Sequence, residues 1–175
     1  AAAYFESISG DNIRQLLRRG PQQETASPVS RFLAGHIGAT MCEHIPDFRR
    51  DMTISSDPWY ESMISAFQQL EENPSPLIRQ LVEQRFGLAY IFGQTLYSRN
   101  LRGRGQYAQA DQCADHIIAF QEKHPKIINS DGYHIKALVL FEQLRLILNG
   151  QQCEALRPTR TSEIEAAVQL THELE

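Results

Sequence analysis

The side chains best able to do chemistry in this 175-residue chain fall in three short stretches. In "GHIGATMCEH", residues 35–44, His36, Cys42, Glu43 and His44 are donor types that hold zinc when they converge at about 2.0 to 2.3 Å. Their spacing argues against convergence. On a helix rising about 1.5 Å and turning about 100° per residue, His36 and His44 stand roughly 12 Å apart and Cys42 points away from His44. The same stretch holds Ala34, Gly35, Gly38, Ala39 and Cys42, and it reads better as a small-residue surface that lets another helix approach closely. No metal is expected.

In the second stretch, Asp111, Asp115 and Glu122 share one face of segment 107–123. A carboxylate pair is geometrically available there, although a solvated polar face accounts for it as well. No G-x-S-x-G, glycine-rich phosphate loop or H-E-x-x-H is found, so no catalytic residue is assigned and no cofactor is expected. The third stretch, "SRNLRGRG" (98–105), sets Arg99, Arg102 and Arg104 in and beside a glycine-rich turn. Guanidinium forks in a solvent-exposed turn could grip carboxylates or phosphates, and a plain solvated loop is the alternative.

Charge narrows the classes of partner. The net charge is −4, against the basic surface that nucleic-acid binding needs. Residues 76–105 nevertheless carry five arginines against one glutamate, a +4 island, while 51–75 carry five acidic residues and no lysine or arginine. Three widely spaced cysteines, Cys42, Cys113 and Cys153, form no C-x-x-C pair and suit a reducing, cytoplasmic setting. No apolar run reaches the roughly 18 to 20 residues that span a bilayer, so no membrane insertion is expected. The start at Ala1 is read as a domain cut from a longer protein.

Helix punctuation must position these residues. Asp11 and Gly20-Pro21 bracket a short helix over 11–19, and 21–29 reads as a linker. Ser30 opens a helix that Pro46 stops; Asp57-Pro58 opens one whose stripe is Trp59, Met63, Ala66, Phe67 and Leu70; Ser75-Pro76 opens a long central helix over about 76–100. Segments 107–123 and 131–149 follow, and Ser162-x-x-Glu165 forms a capping box for a last helix. The expected fold is all-α, with six to seven helices in antiparallel hairpins forming one domain over 1–175, its main bundle spanning 30–175.

Two of these hairpins share turn chemistry. "GQYAQA" (105–110) aligns with "GQQCEA" (150–155), each following a long apolar helix. With Gly93, Leu96, Gly105, Tyr107, Ala110 and Ala114, residues 86–157 resemble tetratricopeptide-repeat proteins. The turn "NLRGR" is longer than in that family, Pro125 comes late, Gln143 replaces a glycine and Pro158 interrupts the second copy. The resemblance implies a groove facing Tyr90, Gln94, Tyr97 and Ser98, with Arg99, Arg102 and Arg104 at its rim. The matching second-copy positions, Leu140, Leu144, Ile147 and Leu148, are apolar enough to expect burial.

These readings lead to a protein- or peptide-binding scaffold or regulatory domain, with a partner that can be acidic and with homo-oligomerisation possible. Two other classes stay open. One is a ligand-sensing and dimerising domain of a transcription regulator, in which the helical glycines Gly35, Gly38, Gly87 and Gly93 would border a cavity. The other is an enzyme whose site assembles from scattered residues.

Overall fold

The computed structural model describes residues 10–21 and 26–150, and among these every regular element is helical. In order they are α1 (Gly10–Arg19), α2 (Pro28–His44), the single turn α3 (Pro46–Arg49), α4 (Asp57–Glu71), α5 (Pro76–Leu81), a π-helical turn (Val82–Phe86), α6 (Gly87–Gly103), α7 (Tyr107–Lys123) and α8 (Asp131–Leu148). The fold is all-α, as the punctuation indicates. The capping box at Ser162 lies outside the described residues.

Several ends differ from the sequence reading in instructive ways. α2 begins a turn early because Ser27, not Ser30, caps it: Ser27 Oγ accepts from the Ser30 amide at 3.2 Å and Pro28 occupies the first turn. Pro46 does stop α2, but it also starts α3, since its fixed φ suits a first helical turn. At α8 Ser130 is the cap residue, as its position before segment 131–149 indicates, but its side chain makes no capping bond; the Asn129 side-chain oxygen accepts from the Asp131 amide at 2.6 Å. The long helix expected over 76–100 is interrupted by the π-turn and runs on to Gly103.

Two compact units divide the chain, residues 1–93 and 94–175, with the division inside α6. In the first, α2 and α4 run antiparallel: Arg31 bonds Gln69 near one end, and Ser56 Oγ donates to Glu43 at 2.7 Å near the other. Their backbones approach closely at Gly35, where an added Cβ would lie 2.7 Å from the Trp59 carbonyl and 2.8 Å from the Met63 amide. At Gly38 it would collide with the Trp59 ring. The expected small-residue surface is therefore real at Gly35, Gly38, Ala39 and Cys42, which are buried, while Ala34 is exposed. Phe32 meets Phe67 and Phe86, and Phe67 stacks on Tyr90 with ring centroids 4.0 Å apart. Trp59, Tyr60, Met63, Ala66 and Leu70 complete this core.

α1 is tied to the same unit by polar contacts. Trp59 Nε1 donates to the Leu17 carbonyl at 3.4 Å, Gly20 leaves the helix at φ +73°, and Arg18 binds Asp51 at 2.8 Å and Thr53 at 2.7 Å. Hydrogen bonds from the Thr53 hydroxyl and amide, with Arg18 beside them, hold the Asp51 carboxyl down at about 2. A small indentation of about 210 Å³ lies there between Leu17–Pro21 and residues 53–58.

In the second unit, α6 from Gln94 onward, α7 and α8 repeat the arrangement. Gln94 meets His116 across α6 and α7 while Gln106 returns its amide to Leu101, so those helices are antiparallel. Gly105 makes that reversal at φ +74°, a conformation glycine adopts without penalty. α7 and α8 touch through Gly132, where a Cβ would sit 2.7 Å from Ile118. Ala110, Cys113, Ala114, Ile117, Phe120, Ile135 and Val139 fill the interior, together with the buried polar residues Gln94, Ser98, Asp111 and Gln143.

Candidate interaction surfaces

Of the residues assigned to a groove, Tyr90, Gln94 and Ser98 are buried, and they belong to the packing of their units. Tyr90 spends its ring on Phe67, and Gln94 reaches His116 at 3.4 Å. Ser98 Oγ is buried with no hydrogen-bond partner among the described residues. Tyr97 is half-buried. These four positions share one helix face, and that face turns inward.

The basic turn separates into two kinds of arginine. Arg102 is not free: its guanidinium holds Glu142 of α8 at 2.7 Å with only 14% of its side chain exposed. Arg99 and Arg104 are exposed. The same holds for the acidic face of α7. Lys136 lies 2.5 Å from Asp115 and 3.7 Å from Asp111, which turns the carboxylate pair into an ion-pair cluster, while Glu122 is exposed.

The residues singled out as donors in 35–44 are dispersed. His36 packs against the rings of Phe32 and Phe92, Glu43 accepts from Ser56, His44 is exposed at the helix end, and Cys42 is buried. Burial pushes the Cys42 thiol up to about 11, with Glu43 adding to the shift, and the Cys113 thiol up to about 12. Both are weak nucleophiles in this state.

What sequence reasoning missed is the apolar outer edge where α2 and α6 lie side by side in the first unit. Leu33 and Ile37 are a turn apart on α2 and exposed; Leu88 and Phe92 are a turn apart on α6 and exposed, Phe92 by 50%. The His36 ring joins the two helices, 6.1 Å from Phe92, and burial lowers its pKa so that the neutral imidazole is favoured. The i, i+4 spacing of Leu33 with Ile37 is present in the sequence, but spacing alone does not separate an exposed apolar pair from a buried one. In the second unit, the expectation of burial for Leu140, Leu144, Ile147 and Leu148 is corrected: the first two are half-buried and the last two exposed. Leu140, Leu144 and Leu148 lie on a side of α8 turned away from Ile135, Val139 and Gln143, which occupy its packed face, whereas Ile147 continues that packed row at the end of the helix.

Compared with known proteins, the chain matches no family model, no curated protein and no solved structure. Among the described residues no helix is long and apolar enough to cross a membrane.

Proposed function

We propose that the chain is a protein- or peptide-binding helical module, a scaffold or regulatory domain, whose contact surface in the first unit is the outer edge of α2 and α6. The observation that carries this reading is the exposure of Leu33, Ile37, Leu88 and Phe92 on neighbouring helices. Exposed apolar side chains gain by being covered, at about 25 cal/mol for each Å² removed from water. In the second unit, taken by itself, exposed Arg99 speeds encounter with an acidic partner.

Antiparallel helix pairs, α2 with α4 in the first unit and α6 with α7 in the second, support the tetratricopeptide-like reading. The use of the glycines favours a binding module over a ligand-sensing domain. Space beside Gly35, Gly38 and Gly93 is taken by Trp59 and Met63, and space beside Gly132 by Ile118, so close packing accounts for them without a ligand. Buried free thiols at Cys42 and Cys113 suit the reducing cytoplasm.

Co-purification of the full chain followed by variant analysis tests the reading. A partner recovered with the native chain should be lost with the double variant Ile37→Asp, Phe92→Asp while circular dichroism stays unchanged. Retention of that partner by the folded double variant would overturn the assignment of this edge.

A further inference from the structure

Where α1 ends against the loop before α4, the hydrogen-bonding groups are out of balance. Both carboxylate oxygens of Asp51 are in use: Oδ2 takes Arg18 at 2.8 Å and Arg14 at 3.5 Å, and Oδ1 takes the Thr53 amide at 3.0 Å and its hydroxyl at 2.5 Å. The Leu17 carbonyl takes the Trp59 indole and the Gly20 amide, and Ser55 Oγ takes the Asp57 amide at 3.3 Å. These acceptors are occupied, and donors are left over. The Arg19 guanidinium is exposed and has no ion-pair partner among the described residues. Arg18 spends Nε on Thr53 and one terminal nitrogen on Asp51, and the Ser55 hydroxyl keeps its proton to donate.

Arg18, Arg19, Thr53 and Ser55 line the indentation of about 210 Å³, with Pro21 and Pro58 as apolar wall. Its volume is several times the roughly 30 Å³ share of one water molecule. Residues 13–19 and 46–58 together carry five arginines against three aspartates, a surplus of +2. A carboxylate matches the flat face of a single guanidinium fork, as Asp51 already does for Arg18. A phosphate monoester instead points three oxygens in different directions and carries about −1.5 to −2 at neutral pH, which suits donors arriving from the helix on one side and the loop on the other. Asp51 and Thr53 hold Arg18 in place beforehand, so little ordering is left for a ligand to impose on it.

We propose that this indentation binds a phosphate monoester, with Arg19 and the outer edge of Arg18 on its oxygens, the Ser55 hydroxyl donating to a third, and Pro21 and Pro58 against the body of the ligand. The site is separate from the apolar edge of α2 and α6 and does not rest on that reading. The net charge of −4 disfavours a long polyanion such as nucleic acid, whereas a compact ligand meets only the local surplus. A free phosphoester and a phosphorylated side chain on a partner present the same group.

Calorimetric titration of the full chain tests it, with O-phosphoserine, glutamate, a short phosphoserine peptide and a single-stranded oligonucleotide as probes. O-phosphoserine should bind one-to-one and at least tenfold more tightly than glutamate. Its affinity should fall severalfold between pH 7.5 and 5.5, as the phosphate loses its second charge near a pKa of about 6, while that of glutamate does not follow. Arg19→Ala should weaken O-phosphoserine at least tenfold with circular dichroism unchanged, and Arg79→Ala, an exposed arginine outside the indentation, should stay within twofold. A peptide that binds more tightly than O-phosphoserine supports the site with a phosphorylated partner as the source; equal binding supports it with a free phosphoester. No saturable binding of O-phosphoserine, glutamate binding equally well, or unchanged affinity in folded Arg19→Ala would overturn the assignment. Tighter binding of the oligonucleotide would overturn it in favour of nucleic acid.

Discussion

The Trp59 indole fills the space that a side chain at Gly38 would need, and one turn earlier Gly35 lets α2 approach the Trp59 carbonyl and the Met63 amide. Neither neighbour moves cheaply, because one is a buried ring that also donates to the Leu17 carbonyl and the other is helix backbone. Gly38→Ala should therefore destabilise by about 1 to 3 kcal/mol through overpacking, even though alanine is the better helix former. Gly103→Ala, where a Cβ meets nothing within 4 Å, should be neutral or stabilising by up to about 1 kcal/mol. Urea midpoints of the two variants check the contrast; equal shifts would mean that the crossing of α2 and α4 is looser than described.

Arg102 and Arg104 should behave differently although two residues separate them. Arg102→Glu sets a second carboxylate against Glu142 and should cost about 1.5 to 3 kcal/mol, the range for lost charged hydrogen bonds. Arg104→Glu, at an exposed position, should stay within about 0.5 kcal/mol of the native chain. Thermal unfolding of both distinguishes an arginine that joins α6 to α8 from an exposed one in the turn.

Ser98→Ala should leave stability unchanged or raise it by about 1 kcal/mol, since the hydroxyl is buried without a hydrogen-bond partner and its removal relieves the desolvation cost. A loss above about 1 kcal/mol would show that the hydroxyl is satisfied in solution.

His36 and His116 both have pKa values lowered by burial; the nearby Asp115 opposes the shift at His116. The folded state therefore prefers the neutral rings. As pH falls below 6.5 the unfolded chain takes up these protons first, so stability is full above that value and is lost as pH falls through the lower folded-state pKa values. Urea midpoints should drop between pH 7.5 and 5.5, and His36→Gln should make the drop smaller.

Cys42 and Cys113 should react with a thiol reagent at pH 8 only on unfolding, because burial both shields them and raises their pKa values to about 11 and about 12. Kinetics with and without urea, in a Cys153→Ala background, measure this directly.

Much of the fold is written in local chemistry. Pro28, Pro46, Pro58 and Pro76 each sit in a first helical turn, Gly20, Gly105 and Gly150 each leave a helix at positive φ, and the stripe from Trp59 to Leu70 is the buried stripe of α4. The candidate site was far less legible. Tyr90, Gln94 and Ser98 have the mixed polarity of a recognition surface, yet tertiary packing turns them inward, and propensity carries no information about which face of an apolar helix meets its neighbours. Arg102 looked solvated because its partner, Glu142, lies forty residues away. The exposure of Phe92 and Phe141 was hidden for the converse reason: a large apolar residue reads as core until the neighbouring helices are in place.

The π-turn at Val82–Phe86 gives the helical wheel of α6 a phase that the upstream sequence does not set. A π-turn takes in about one residue more than an α-turn, so deleting one residue there would leave an unbroken helix from Pro76 to Gly103 with the positions after it close to their present phase. Keeping every residue and straightening the turn into α-helix would instead advance everything after it by about 100°, swinging Tyr90 off Phe67. Along this stretch the chain therefore absorbs the loss of one codon, whereas a second deletion, with no bulge left to take it up, would turn the inner face of α6 away from its neighbours.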